Sequence, residues 1–520
     1  MHIRESLANL SHILKGSGKK NADEQTITVN EAVGVIAFYY EKIRNVIEYQ
    51  DEHLLRQNAI RRILSRRRIL SSNTRELAES LLRELIRSRY LANNTIPTLT
   101  IDEVGDILSF YFELQSLLKK HPDKKLNDPE LILALASCAI DDHLSPLYSE
   151  EALVSVMYDV VESLAQSVGA KSDTTLRQHQ LSIAVYRVLL RPDVMRLRFY
   201  LLKQTDPLWV TGTKDTRAAK DEFIRLIPQI DASIRHPLNR KFLNLLRRYR
   251  LPFVALHAVL KRAPHLLEKK EELDKEIRTF CDTLIATQKK RLRSRTFHAF
   301  LYILLTKMLL GFAVEIPYDV FVLGEFRLLP FWINALFPPC LLAFLILTVR
   351  YPTHKNTDRI VQGVQEIVDH TFEQDVFAFK TQSPRRKHPI LSFIFQFLYL
   401  VFLGLSFGLL IWALASIGFS LVSGSIFLIF FCLIMFFGMS LRRSIQELTI
   451  LPLKTNFIIS FFDQFFLPFL HVGRWLTFNI PKVNILVFLF DIFIETPFQA
   501  LIEITEEWFA FLKEKKDDMQ

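Results

Sequence analysis

Ile390 to Leu441 reads ILSFIFQFLYLVFLGLSFGLLIWALASIGFSLVSGSIFLIFFCLIMFFGMSL, with no Asp, Glu, Lys, Arg or His over the whole stretch. A helix needs about 20 apolar residues to cross the hydrocarbon core of a bilayer, and only a structure that satisfies its own backbone can do so. The stretch therefore predicts two membrane spans, about 390–416 and 421–441, joined by a turn near Ser420 to Ser425. Arg442 and Arg443 follow directly.

Upstream, two further apolar segments stand apart from charged surroundings. FHAFLYILLTKMLLGFAVEI, Phe297 to Ile316, has the length of a span and follows the basic run TQKKRLRSR. The next, about 328–349, carries the pair Pro338 and Pro339, which removes two backbone donors and predicts a kinked or broken helix. Between them PYDVFVLGEFR has little positive charge, whereas 350–389 is flanked by basic residues. Lys and Arg concentrate on the cytosolic side of spans, so the basic flanks agree on four spans in 297–443 with both termini cytosolic and the 350–389 loop inside. Lys307, near the middle of the first span, needs an acidic or carbonyl partner from neighbouring helices, or a shallow setting in which it reaches the interface. It is the candidate intramembrane polar site. Gly404 and Gly408 make a small-xxx-small spacing suited to close helix packing, in the bundle or in a homo-oligomer.

The preceding half is of a different kind. Residues 1–28 read as a flexible N-terminal segment with the linker KGSGKKNADEQ, and 29–296 as a charged, amphipathic cytosolic domain of about eight to ten helices. Capping boxes are expected at Asn73 with Glu76, Thr100 with Glu103, and Asn127 with Glu130. No run of alternating strand residues appears, so the class is all-α. The start lacks an apolar core and a cleavage site, so no signal peptide is expected.

The formal net charge of +10 fits a membrane protein with basic flanks as well as a nucleic-acid binder. Arg61, Arg62, Arg66, Arg67 and Arg68 form a basic cluster able to contact phosphate or lipid headgroups, or to pair with Glu76, Glu79 and Glu84. No zinc-finger, helix-turn-helix or aromatic-lined strand pattern accompanies it, and nucleic acid is not the favoured partner. Asp141, Asp142 and His143 are adjacent, point to different helix faces, and read as a helix C-terminus before Pro146. GSGKK departs from a phosphate-binding loop. Four scattered cysteines indicate neither a disulfide framework nor zinc. No metal, cofactor or catalytic residue is expected.

Beyond Pro452 the chain turns amphipathic: 444–520 reads as interfacial helices and a charged C-terminus. Asp463, His471 and Arg474 fall close to one face, and Asp491, Glu495 and Glu503 recur at fourfold spacing on the next segment. Together they make a candidate docking face, acidic stripe against basic protein.

Three stretches resemble one another's counterparts in a single family: YYEKIRNVIEYQDEHLLRQNAIRRIL from Tyr39, FDQFFLPFLHVGRWL from Phe462, and DIFIETPFQALIEITEEW from Asp491. With these the chain resembles uncharacterised multi-pass membrane proteins of candidate-phyla bacteria with a helical cytosolic N-terminal region. The resemblance implies that architecture and a bacterial cytoplasmic membrane, and transfers no catalytic or binding residue. The functional expectation is a non-enzymatic scaffold or tether whose partners are the lipid bilayer and another protein. The alternatives are an oligomeric transporter or channel using Lys307 and the broken second span, and a membrane enzyme acting on lipid or envelope precursors.

Overall fold

The computed structural model describes residues 2–16, 25–29, 54–68, 73–165, 174–325, 327–347, 349, 351–369, 389–446, 448–450 and 457–479. Among these there is no strand, only an isolated antiparallel bridge between Thr26 and Pro97. The protein is all-α, and its compact units divide at Leu246 and Arg247.

The first unit contains α1 (His2–Gly16), α2 (Leu55–Arg67), α3 (Thr74–Arg87), α4 (Thr100–Leu118), α5 (Pro129–Leu144), α6 (Tyr148–Ala165), α7 (Thr174–Leu190), α8 (Val194–Thr205), α9 (Leu208–Thr211), α10 (Thr216–Arg235) and α11 (Pro237–Leu246). α5 is its centre, touching α2, α4 and α8. The reason is in its sequence: every residue from Leu131 to Asp142 is buried, and a helix apolar on all sides has to be enclosed by others. The cap at Asn73 forms, its side chain accepting from the Arg75 N–H and donating to Glu76. The other two expected caps differ. Asp128, one residue after Asn127, accepts from the Glu130 N–H with Pro129 just inside, while α4 starts at Thr100 with no side-chain cap. A β-region residue directly before Pro129 suits Asp128, because proline disfavours helical φ/ψ in its predecessor.

The second unit opens with α12 (Arg250–Arg262) and α13 (Lys270–Leu310). α13 is 41 residues long, roughly 60 Å at 1.5 Å per residue, and runs unbroken from charged sequence into apolar sequence. A π-turn, Gly311–Glu315, and α14 (Ile316–Phe321) continue it; then come α15 (Leu328–Leu347), α16 (His354–Asp369), α17 (Pro389–Ile417), α18 (Leu421–Gln446) and α19 (Phe457–Asn479). Four of these helices, the α13–α14 rod, α15, α17 and α18, are long and apolar enough to cross a membrane. Gly418, at φ +90, makes the tight turn between α17 and α18, a backbone setting that favours glycine.

The break expected at Pro338 and Pro339 does not occur: α15 is continuous through both, and both are buried. Each proline deprives the carbonyl four residues earlier, at Asn334 and Ala335, of its helical donor, and neighbouring helices can keep such a segment helical. The extramembrane part of α13 packs against α12 and α16. Along α16 it is pinned by Lys270–Asp369 at 2.6 Å, Gln365 to Asp274 at 2.5 Å and Arg278–Asp358 at 2.5 Å.

Candidate functional site

Lys307 is 2% exposed, on a helix whose neighbouring Leu305 and Leu309 are 60% and 69% exposed. It is therefore turned into the bundle, and an ammonium there requires a partner. The partner is Glu315, with Lys307 Nζ 3.2 Å from Glu315 Oε1. In a regular α-helix residues eight apart are offset by about 80° around the axis. The π-turn Gly311–Glu315 is wider, and it reduces that offset enough for two charges on one continuous rod to meet.

Two further helices complete the cluster. From α15, Asn334 Nδ2 donates to Glu315 Oε2 at 2.7 Å and to the Ser423 carbonyl at 3.3 Å; from α18, Ser423 Oγ donates to the same Glu315 oxygen at 3.4 Å. The Lys307 ammonium also lies 4.9 Å from the centre of the Phe430 ring. Glu315, Asn334 and Ser423 are each 3% exposed or less. The cluster is neutral as a whole, joins three spans, and leaves one buried acceptor, Asn334 Oδ1, with no hydrogen-bond partner among the described residues. Such an arrangement can lock three helices in one register, and it can also accept a donor or a small cation at the remaining oxygen.

The other sequence candidates are placed as follows. Arg66 and Arg67 both bind Glu84, at 2.6 and 2.9 Å, and Arg68 lies 4.4 Å over the Phe112 ring. Burial by itself would raise the Glu84 carboxyl, but Arg66 and Arg67 outweigh it and hold the group below the usual carboxylate range. Arg61 and Arg62 are half-buried on the same helix. Arg66, Arg67 and Arg68 are thus engaged inside the first unit.

His471 meets Tyr399 of α17, Nδ1 to the phenol oxygen 3.1 Å, with the rings edge to face. Arg474 is exposed. The Asp463 side chain and the stripe Asp491, Glu495 and Glu503 lie outside the described residues. α19 packs along α17 and α18: Phe469 is buried among Leu414, Phe427, Phe431, Cys432 and Met435. Gly473 sits so close to the Cys432 carbonyl that a Cβ there would collide with it. By contrast, nothing among the described residues approaches the Cβ positions of Gly404 and Gly408, while close contacts are made at Gly473 and at Gly438 against Leu345.

Asp141 and Asp142, read from sequence as a helix end, form a buried ion network. Arg196 of α8 reaches Asp141 at 3.2 Å and Asp142 at 3.0 Å; Lys203 joins Asp142 at 2.9 Å and Glu151 at 2.7 Å; Arg56 joins Asp141 at 2.5 Å. Burial pushes the neighbouring Cys138 thiol well above its usual range, so it is held as a thiol, not a reactive thiolate. His143 instead pairs with Glu103 at 2.9 Å. Each carboxylate here is occupied by a fixed cation, which is the arrangement of a structural network.

Sequence reasoning missed Glu315, Asn334 and Ser423. A signal for the first was present, since Glu315 is the next charged residue after Lys307. For Asn334 and Ser423 there was none, as uncharged polar residues are common in spans. No family model matches the chain, and neither a curated protein nor a solved structure matches it.

Proposed function

We propose that the protein is an integral membrane protein acting as a non-enzymatic scaffold or tether, with its helical N-terminal region on the cytosolic side of a bacterial cytoplasmic membrane and another protein as its partner. The observation that carries this reading is α13. One rod of 41 residues begins between α12 and α16, fixed by three polar contacts along α16, and ends as one of the four apolar helices. A stalk continuous with a span transmits position and load between the water phase and the bilayer, which an anchor needs and a flexible link does not supply. The buried ion network of the first unit supports the same reading, because its charges pair with one another.

The test is partner capture with the full-length protein in nanodiscs, using a photo-crosslinker on the exposed face of α10 or α11. Reproducible capture of one protein partner is expected. Capture of salt-sensitive nucleic acid alone would sink the tether. Labelling of a cysteine at position 387 or 480 from outside intact cells would refute the orientation.

A second reading, an oligomeric transporter, is favoured by one observation: the unpartnered Asn334 Oδ1 beside a buried Lys307–Glu315 pair. Substrate-selective flux in proteoliposomes that disappears in Lys307→Ala would establish it over the scaffold.

A further inference from the structure

We propose that Lys289, Lys290 and Arg293 of α13 form a binding site for anionic phospholipid, the phosphate held by these cations and an acyl chain lying on the row Phe297, Leu301, Leu305 and Leu309. The inference rests on the membrane reading above and adds a ligand class and a location to it.

Three observations carry it. First, all three cations are exposed, and the sequence contains no Asp or Glu between Asp282 and Glu315 to neutralise them locally. Arg66 and Arg67, the basic residues that sequence offered for phosphate contact, are by contrast both taken up by Glu84. Second, the run is fixed in place. Leu292, in its midst, is buried against Val349, Leu441 and Ile445, the ends of two other apolar segments, and Lys289 Nζ lies 5.5 Å from the centre of the Tyr351 ring. Arg442, next to Leu441, adds a further cation at the same end of the bundle.

Third, Lys289 and Arg293 begin a series spaced by four that continues as Phe297, Leu301, Leu305 and Leu309, all of them exposed. Residues four apart are neighbours on a helix surface, so cation and apolar track form one row that winds slowly round α13. From Phe297 to Leu309 the row is roughly 18 Å long at 1.5 Å per residue, close to the roughly 15 Å of hydrocarbon in one leaflet. A headgroup at Arg293 thus places its acyl chain along the apolar part of the same row. Clusters of Lys and Arg beside a span attract anionic headgroups over zwitterionic ones, which matches this chemistry.

The experiment uses the full chain. Membranes are first extracted with alkaline carbonate; release of the protein there would overturn the membrane reading itself. The protein is then purified in neutral detergent, and its thermal unfolding midpoint is followed on addition of phosphatidylglycerol, phosphatidylcholine or inorganic phosphate, with retained lipid counted by native mass spectrometry. Phosphatidylglycerol should raise the midpoint by several degrees and the other two should not. The variant K289Q/K290Q/R293Q should lose at least half of that rise, and R293Q alone should retain less phosphatidylglycerol. An unchanged rise and unchanged retention in these variants, in protein that stays in the carbonate pellet, would overturn the site. An equal response to inorganic phosphate would make it a free-phosphate site and overturn the lipid proposal.

Discussion

The molecule buries charge in two places, and handles it differently. In the first unit, Arg196 and Lys203 face Asp141, Asp142 and Glu151, with Arg56 closing the far side, so charges are matched several to several and the outer partners are only half-buried. Among the spans, one ammonium meets one carboxylate, and the rest of the carboxylate's bonding is supplied by an amide and a hydroxyl. The difference follows from the surroundings. A network near water can extend until its edge is solvated, whereas lipid offers no such edge, so a cluster among helices apolar enough to cross a membrane closes on itself at low net charge.

Removing one partner should be costly in both places, and most in the first unit. Arg196→Met leaves two buried carboxylates without their shared guanidinium, and about 3–5 kcal/mol should be lost, read as a lowered denaturant midpoint. An unchanged midpoint would mean that Lys203 and Arg56 suffice, and the contrast between the clusters would fail. Glu315→Gln should strand Lys307 and destabilise the detergent-solubilised protein by a similar amount, about 3 kcal/mol, while the double variant Lys307→Met with Glu315→Gln should recover most of it. Absence of recovery would show that the pair does more than neutralise itself.

Packing gives a smaller, sharper test within the second unit. Gly473→Ala forces a methyl into the Cys432 carbonyl and should cost about 1–3 kcal/mol, whereas Gly404→Ala and Gly408→Ala meet no atom of the described residues and should stay within about 0.5 kcal/mol. A large effect at Gly404 or Gly408 in the assembled protein would point to a second copy covering that face. The smallest effect is on pH. Because the Glu84 carboxyl is held below its unfolded value, roughly 4.3, its contribution is complete above that pH and disappears as pH falls through the folded value. Glu84→Gln should flatten this acid limb of the stability curve; an identical limb would assign it to other carboxylates.

The helical class and the apolar helices were legible because lipid imposes a length and a composition that a one-dimensional string displays directly. Lys307 was legible for the same reason, as a lone charge in an apolar run. The run Arg61 to Arg68 was visible, and Glu84 was among the partners it suggested; that Arg66 and Arg67 both reach Glu84 depends on α2 lying beside α3, which no local pattern encodes. Asp141 and Asp142 do stand in the last turn of α5, the helix end that the sequence indicated, but the ion network they anchor was not visible there. Adjacent residues on one helix do point apart, yet α5 is enclosed by other helices, and Arg196 is long enough to reach both carboxylates.

Sequence alone thus determined what physical chemistry makes local: helix content, four apolar segments, the Asn73 cap and the basic run before Phe297. Only the tertiary structure decided how those parts combine. It carried α13 unbroken across the change in composition and kept α15 helical through two prolines. It also set Gly473 against the Cys432 carbonyl, and brought Glu315, Asn334 and Ser423 to Lys307. Each of these depends on contacts between residues distant in the chain or on a shift in helical register, and neither is written in the spacing of residues along one segment.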